Sequence, residues 1–236
     1  MIPVIINNYN QLEFLLPMIA KLGTFDNIKI IILDNGSTYK PLLDWYSTIE
    51  TEIEVIRTTN LGHHAPWISG VVDKCRKDFG DLYVVTDPDI DISELPINTM
   101  DVLKDILIKK NILKAGLSLR IDDIPDHYKL KNSVLRWEGK YWNNPEYING
   151  YPIYNAGVDT TFALYNHKNI NQNFIFSAVR VGGPLTAKHL TWYIDENNLT
   201  DNQKYYIDIC SKSQHREVAS WTYWASQNKE YANGGN

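Results

Sequence analysis

Four short apolar, β-branched runs mark the first ninety residues: Ile2–Ile6, Ile28–Leu33, Ile53–Ile56 and Leu82–Thr86. Runs without polar alternation suit parallel strands buried on both faces. Helical patterns lie between them. Leu12, Leu15, Leu16, Ile19 and Leu22 share one face, and Pro17 requires a kink there or a place near the helix start. Trp67, Ile68, Val71, Val72, Cys75 and Phe79 recur with a period close to that of a second helix. Four successive βα units predict a doubly wound α/β sheet with right-handed crossovers. After Asp91 the rhythm changes. A helix is expected over Asn98–Lys110 and a strand over Ile112–Ile121, followed by an aromatic, Asn-rich stretch. Strands are expected in "TTFALY" and "NFIFSAVRV", and a helical tail from Thr200 that frays into "NGGN". There is no internal repeat and no linker-like shift in composition, so the pattern predicts one domain over 1–236 in two lobes, 1–92 and 93–236.

Composition narrows the class. With 44% hydrophobic and 22% charged residues among 236, the chain has material for a sizeable core. A net charge of -5 and no Lys/Arg block argue against a nucleic-acid partner. Cys75 and Cys210 are too few for a disulfide framework and have no metal-ligand spacing, which fits reduced thiols and a cytoplasmic protein. No apolar run approaches the ~20 residues that span a bilayer. The opening "MIPVIINNYN" lacks a basic leader and reads as a strand, so any membrane association is expected to be peripheral.

The polar clusters fall where the strands end. Asn7-Asn8 follow the first, Asp34-Asn35-Gly36-Ser37 the second, Asn60-Leu61-Gly62-His63-His64 the third and Asp87-Pro88-Asp89 the fourth. Open α/β sheets bind ligands beyond the carboxyl ends of their strands. In "LYVVTDPDID" a buried strand runs straight into carboxylates that repel unless a positive charge sits among them. Asp87 and Asp89 are hard oxygen donors suited to Mg²⁺ or Mn²⁺. Such a cation bridges a diphosphate and stabilises it as a leaving group. Asp91 reads as a cap or a solvated side chain. No GxGxxG follows the first strand and no GxxxxGK[ST] occurs, which disfavours the usual dinucleotide fold and excludes a P-loop.

Four segments in order, "VIINNYNQLEFL", "IIILDNGST", "NLGHHAPWISG" and "TDPD", resemble the VVPTYNR, VDDGSTD, NxGxxxARNxG and DxD motifs of GT-A nucleotide-sugar glycosyltransferases. The resemblance covers residues 1 to about 92 and is family 2-like. It implies a GT-A, Rossmann-like domain with a mostly parallel sheet and helices on both faces. It also implies metal-dependent transfer of a hexosyl-type sugar from a nucleotide-diphosphate donor, a UDP-sugar foremost, to a hydroxyl acceptor in glycan or surface polysaccharide synthesis. Mn²⁺ is the expected cation ahead of Mg²⁺. On that resemblance Asp34 contacts the nucleoside, Asn7, Asn60 and Gly62 line its side of the cleft, and Asp87 and Asp89 address metal and ribose-diphosphate. Pro66-Trp67 depart from the family's Arg-Asn.

In the second half, "YNAGVDTTFALY" partly resembles the [FY]N[AS]GV strand of glycogenin-like retaining transferases. That would put Asn155, Ala156 and Gly157 under the donor sugar. An inverting enzyme needs a carboxylate to deprotonate the acceptor, and Asp159 is the nearest candidate, with Asp122 and Asp123 behind it. Both stereochemical outcomes stay open. In "RVGGPLTAKHLTWY" His189 is placed to complete the metal shell, Arg180 or Lys188 to neutralise the diphosphate, and Gly182-Gly183 to form a mobile loop over the donor. His63 and His64 read as a loop at the cleft. Trp137, Tyr141, Trp142, Tyr147, Tyr151, Trp192 and Tyr193 form a candidate platform for sugar faces. Two rival readings stand: a non-catalytic nucleotide- or glycan-binding module, and a sugar-nucleotide nucleotidyltransferase, whose Gly-rich, basic phosphate loop is missing here. A haloacid-dehalogenase-type phosphatase carries its acidic pair near the start of its domain rather than at the fourth strand.

Overall fold

The structure is a computed structural model that describes residues 1–49 and 53–212. The chain runs β1 (Ile2–Asn8), α1 (Leu12–Leu22), β2 (Ile28–Asn35), α2 (Lys40–Tyr46) and β3 (Glu54–Thr58). A 3₁₀ turn (Gly62–His64) leads into α3 (Ala65–Ile68), α4 (Val71–Phe79), β4 (Leu82–Thr86) and β5 (Ile90–Asp91). Next come α5 (Thr99–Lys110), β6 (Lys114–Leu119), α6 (Lys131–Glu138), β7 (Glu146–Ile148) and β8 (Tyr151–Tyr154). The described part closes with β9 (Ala163–Asn166), β10 (Ala178–His189) and α7 (Asp201–Lys212); the rest of the predicted tail lies outside the described residues.

The strands join in the order β3-β2-β1-β4-β9-β6-β10-β8-β7, with β5 on the end of β10. The first four are parallel, as the βα rhythm predicts, and β6 and β10 are parallel again. β9 runs antiparallel between β4 and β6 and so joins the two lobes into one mixed sheet. Period-2 alternation sends β1 to both faces. Val4 and Ile6 pack into one core with Leu15, Leu42 and Leu103, and Ile5 packs into the other with Val71, Val72 and Cys75. Both cysteines are buried and unbonded. Among the described residues no helix is long and apolar enough to cross a membrane.

Several local expectations shift. α1 buries Leu15, Met18 and Leu22, while Leu16 is exposed, because it lies a third of a turn away from that stripe. Pro17 stays inside α1, on the exposed side. The helix expected through Trp67–Phe79 is two pieces. Gly70, at φ +80°, ends the single turn of α3 and opens α4, which leaves Ile68 exposed. The strand expected to end near Val181 continues to His189, with a register shift between Val181 and Thr186. Gly182-Gly183 are therefore part of β10 and pack against Pro152 and Tyr154, not a loop over the cleft.

Gly116, in β6, lies beside β9 and the segment that precedes it. A Cβ there would stand 2.5 Å from Val158 Cγ1 and 3.1 Å from the Ala163 Cβ. Gly116→Ala is expected to cost about 1–3 kcal/mol by overpacking. Urea unfolding should show a lower midpoint at unchanged slope; an unchanged midpoint would mean that Val158 yields freely.

Candidate active site

A cavity of ≈ 730 Å³ opens at the carboxyl ends of β1, β2 and β4, bounded by the 3₁₀ turn, α6, the segment 157–161 and β10. The wall beyond β1 and β2 is tied by carboxamides. Asn35 Nδ2 donates to the Gly62 carbonyl at 2.9 Å, its Oδ1 accepts the Leu61 N–H at 2.7 Å, and Asn7 Nδ2 reaches the same Gly62 carbonyl at 3.5 Å. His63 and His64 line this wall beside Gly62.

Asp87 and Asp89 enter from the end of β4. The Asp87 N–H donates to the Thr160 carbonyl at 2.7 Å, and the Thr160 hydroxyl donates to Asp87 Oδ2. Burial, then the charges of Asp89 and Asp159, push the Asp87 carboxyl well above the ordinary carboxylate value, and the Thr160 hydroxyl only partly offsets this. Asp89 is 5% exposed, and its Oδ1 is buried without a hydrogen-bond partner. A buried carboxylate oxygen in that condition is costly unless something positive binds it. Asp91 accepts the Ser93 N–H at 2.9 Å and is a turn cap, as expected.

His189 lines the cavity, with Nδ1 at 3.8 Å from Asp89 Oδ2, paired with the Thr191 hydroxyl, and its ring stacked on Trp192. Among the described residues no three His, Cys, Asp or Glu side chains form a ready metal cage. Two carboxylates beside an open cavity nonetheless fit a hard cation that takes its remaining ligands from phosphate and water.

Next to Thr160, Asp159 is exposed to the cavity and holds the Thr160 N–H at 2.9 Å. Arg180, 5% exposed, pairs with the buried Glu138, donates from Nε to the Gly157 carbonyl at 2.8 Å, and lies over the Tyr141 ring at 4.3 Å. Its guanidinium is committed to the protein, so it holds the wall rather than offering a free charge to a diphosphate.

Other expected residues stand elsewhere. Asp34 is fully buried behind the cavity: Oδ2 takes Arg57 Nε at 2.9 Å and Oδ1 the Ser37 N–H at 3.2 Å. Asn60 bonds within its own turn, Oδ1 to the Gly62 N–H at 3.0 Å. Asn155 and Ala156 precede the cavity wall, which begins at Gly157. Lys188 points away from the cavity and pairs with Asp123 at 2.8 Å, because adjacent strand residues face opposite sides. Asp123 is thereby engaged outside the cavity, and neither it nor Asp122 reaches it. Of the seven aromatics, Trp137, Tyr141 and Trp192 line the cavity; Trp142 instead meets Tyr154 and Tyr193 meets Asp123.

The wall also includes residues that the sequence did not point to, among them Lys114, Glu138, Thr160 and Tyr206. A lysine opening the apolar run of β6 was the one available signal. Burial pulls the Lys114 ammonium down to about 8, with the Asp159 charge acting in the opposite direction.

No family model matches the chain, and no curated protein matches it by sequence. Solved structures do match by shape. Mannosyltransferase PcManGT from Pyrobaculum calidifontis, in complex with GDP-Man and Mn²⁺, aligns with a TM-score of 0.48 and 13% identity over 89% of this chain and 60% of that one. GalNAc-T7 with UDP, GalNAc and Mn²⁺ aligns with a TM-score of 0.53 and 12% identity over 79% of this chain and 43% of that one. The chain thus spans less than two thirds of either protein, and the likeness is one of fold. Together with the sheet order it makes this a GT-A fold, of the kind that nucleotide-sugar glycosyltransferases use.

Proposed function

We propose that the chain transfers a sugar from a nucleotide-diphosphate sugar, a UDP-sugar foremost, to a hydroxyl acceptor. The observation that carries this reading is the pair Asp87–Asp89 at the end of β4, facing a ligand-sized cavity with the buried Asp89 Oδ1 unpartnered. Asp87 and Asp89 would hold a divalent cation, Mn²⁺ ahead of Mg²⁺, and His189 has Nε2 to offer while Nδ1 is engaged. When bound, such a cation supplies charge stabilisation to the departing diphosphate. Asn7, Asn35 and the Gly62 turn form the nucleotide side, with Asp34 supporting them from behind by fixing Arg57 and the Ser37 turn. Asp159, exposed to the same cavity, would take the acceptor proton. Trp137 and Tyr141 offer flat faces to a sugar at the outer wall. The acceptor is then a glycan or a related hydroxyl compound, as in glycan or surface polysaccharide synthesis.

A thermal-shift series with nucleotide sugars, with and without Mn²⁺, tests this. A donor at about 100 times its Kd should stabilise the protein by about 2.7 kcal/mol. The shift should require Mn²⁺ and be accompanied by slow release of nucleoside diphosphate. Binding without turnover across donors and acceptor mixtures would favour a binding module, and no shift with any donor would overturn the reading.

A further inference from the structure

We infer that Lys114 and Arg180 are positioning residues that clamp the segment 157–160 through two successive carbonyls, and so set where Asp159 and Thr160 stand against Asp87. Its kinetic consequence rests on the transferase reading; the clamp itself rests on geometry alone. Arg180 Nε donates to the Gly157 carbonyl at 2.8 Å, and Lys114 Nζ donates to the next carbonyl, that of Val158. The two cations come from neighbouring parallel strands, with Lys114 opposite Ala178 and Gly116 opposite Arg180. Beyond Val158, Asp159 Oδ1 holds the Thr160 N–H, and Thr160 bonds Asp87 through both its carbonyl and its hydroxyl. An unbroken chain of contacts thus runs from Lys114 to the carboxylate expected to hold the metal.

A neutral side chain would satisfy the Val158 carbonyl at less cost. Lys114 is 2% exposed, and no carboxylate lies within ion-pair distance of it among the described residues. The Phe174 ring covers it at 4.4 Å and the Tyr165 ring stands at 5.5 Å. Rings and one carbonyl only partly replace the water lost by a buried ammonium, and its lowered pKa agrees with that deficit. Here the deficit coincides with a single short loop that carries an exposed carboxylate into the cavity. Arg180 alone does not fix that loop, because its bond stops at Gly157.

The test uses Lys114→Met, which keeps the bulk without a donor, and Lys114→Ala, which leaves room for a small amine. Hydrogen exchange at the 157–161 amides should rise in both, with exchange in β1 and β2 unchanged. In transfer assays kcat should fall by about 10²-fold, the size expected from a misplacement of ~1 Å, while the donor KM changes by less than about 2-fold. Propylammonium, which returns a donor to the space vacated in Lys114→Ala, should restore kcat to that variant and not to Lys114→Met, where the space is filled. Unchanged exchange at 157–161, or a Lys114→Met kcat within about 2-fold of wild type, would overturn the inference. A wild-type protein that turns over no donor sinks the transferase reading instead, and the exchange result then decides the clamp by itself.

Discussion

Asp87→Asn is expected to lower donor turnover by about 10³-fold or more, equivalent to roughly 4 kcal/mol of transition-state stabilisation, and at the same time to raise the metal-free melting temperature. The gain follows from the charge at the end of β4, where burial and the neighbouring carboxylates of Asp89 and Asp159 disfavour an ionised Asp87. An amide there still accepts the Thr160 hydroxyl and removes the repulsion. About 2–4 °C is the gain typical of relieving such a functional conflict in a domain of this size.

The pH dependence has a definite sign. Asp87 binds its proton more tightly in the folded protein than in the unfolded chain, so its contribution to stability is greatest below the ordinary carboxylate value and is lost as pH rises through its raised folded value. Wild type and Asp87→Asn should therefore melt together in acid and separate above that range. Mn²⁺ should raise the melting temperature of wild type and have little effect on the variant. Melting curves from acid to neutral pH, in chelator and in Mn²⁺, read all of this. Full turnover in the variant sinks the metal role, and a lower melting temperature at neutral pH sinks the electrostatic account.

Arg180→Met is expected to be the most destabilising single change in the cavity wall. The Arg180–Glu138 pair is buried on both sides, at 5% and 6% exposure. Removing one partner leaves an uncompensated charge buried in the wall, a loss of about 3–5 kcal/mol. Replacing both with apolar residues, as in Arg180→Met with Glu138→Leu, should restore most of that, because the desolvation cost leaves with the charges. Urea midpoints of the two single variants and the double variant separate the cases. A double variant no more stable than Arg180→Met would show that the Gly157 bond and the Tyr141 ring, not the ion pair, carry the stability.

The first half of the chain was legible because its information is local. Parallel strands buried on both faces must read as apolar runs, and each run here ends in polar residues where the strand leaves the sheet. Asn7, Gly62, Asp87 and Asp89 were found that way and all reach the cavity. Asp34 sits at an equally good strand end and does not, because Arg57, one strand over on β3, takes its carboxylate. That pairing depends on which strands are neighbours, and no sequence spacing shows it.

Beyond β5 the same limit governs more residues. Even spacing from Arg180 would put Lys188, not His189, on its side of a regular strand. The shift over residues 182–185 and the change of partner from β6 to β5 intervene, and it is His189 that meets Asp89. Glu138 reaches Arg180 only because α6 folds across the cavity, and Lys114 reaches Val158 only because β9 turns back between β4 and β6. By itself, then, the sequence determined the four parallel strands of the first half, their order of appearance and the acidic edge of the cavity, since these follow from periodicity and strand termination within a few residues; β5, β7 and β8 it did not show. The tertiary structure alone decided which cations face the cavity and which are already spent on the protein, since strand register and long-range pairing settle the direction of each side chain.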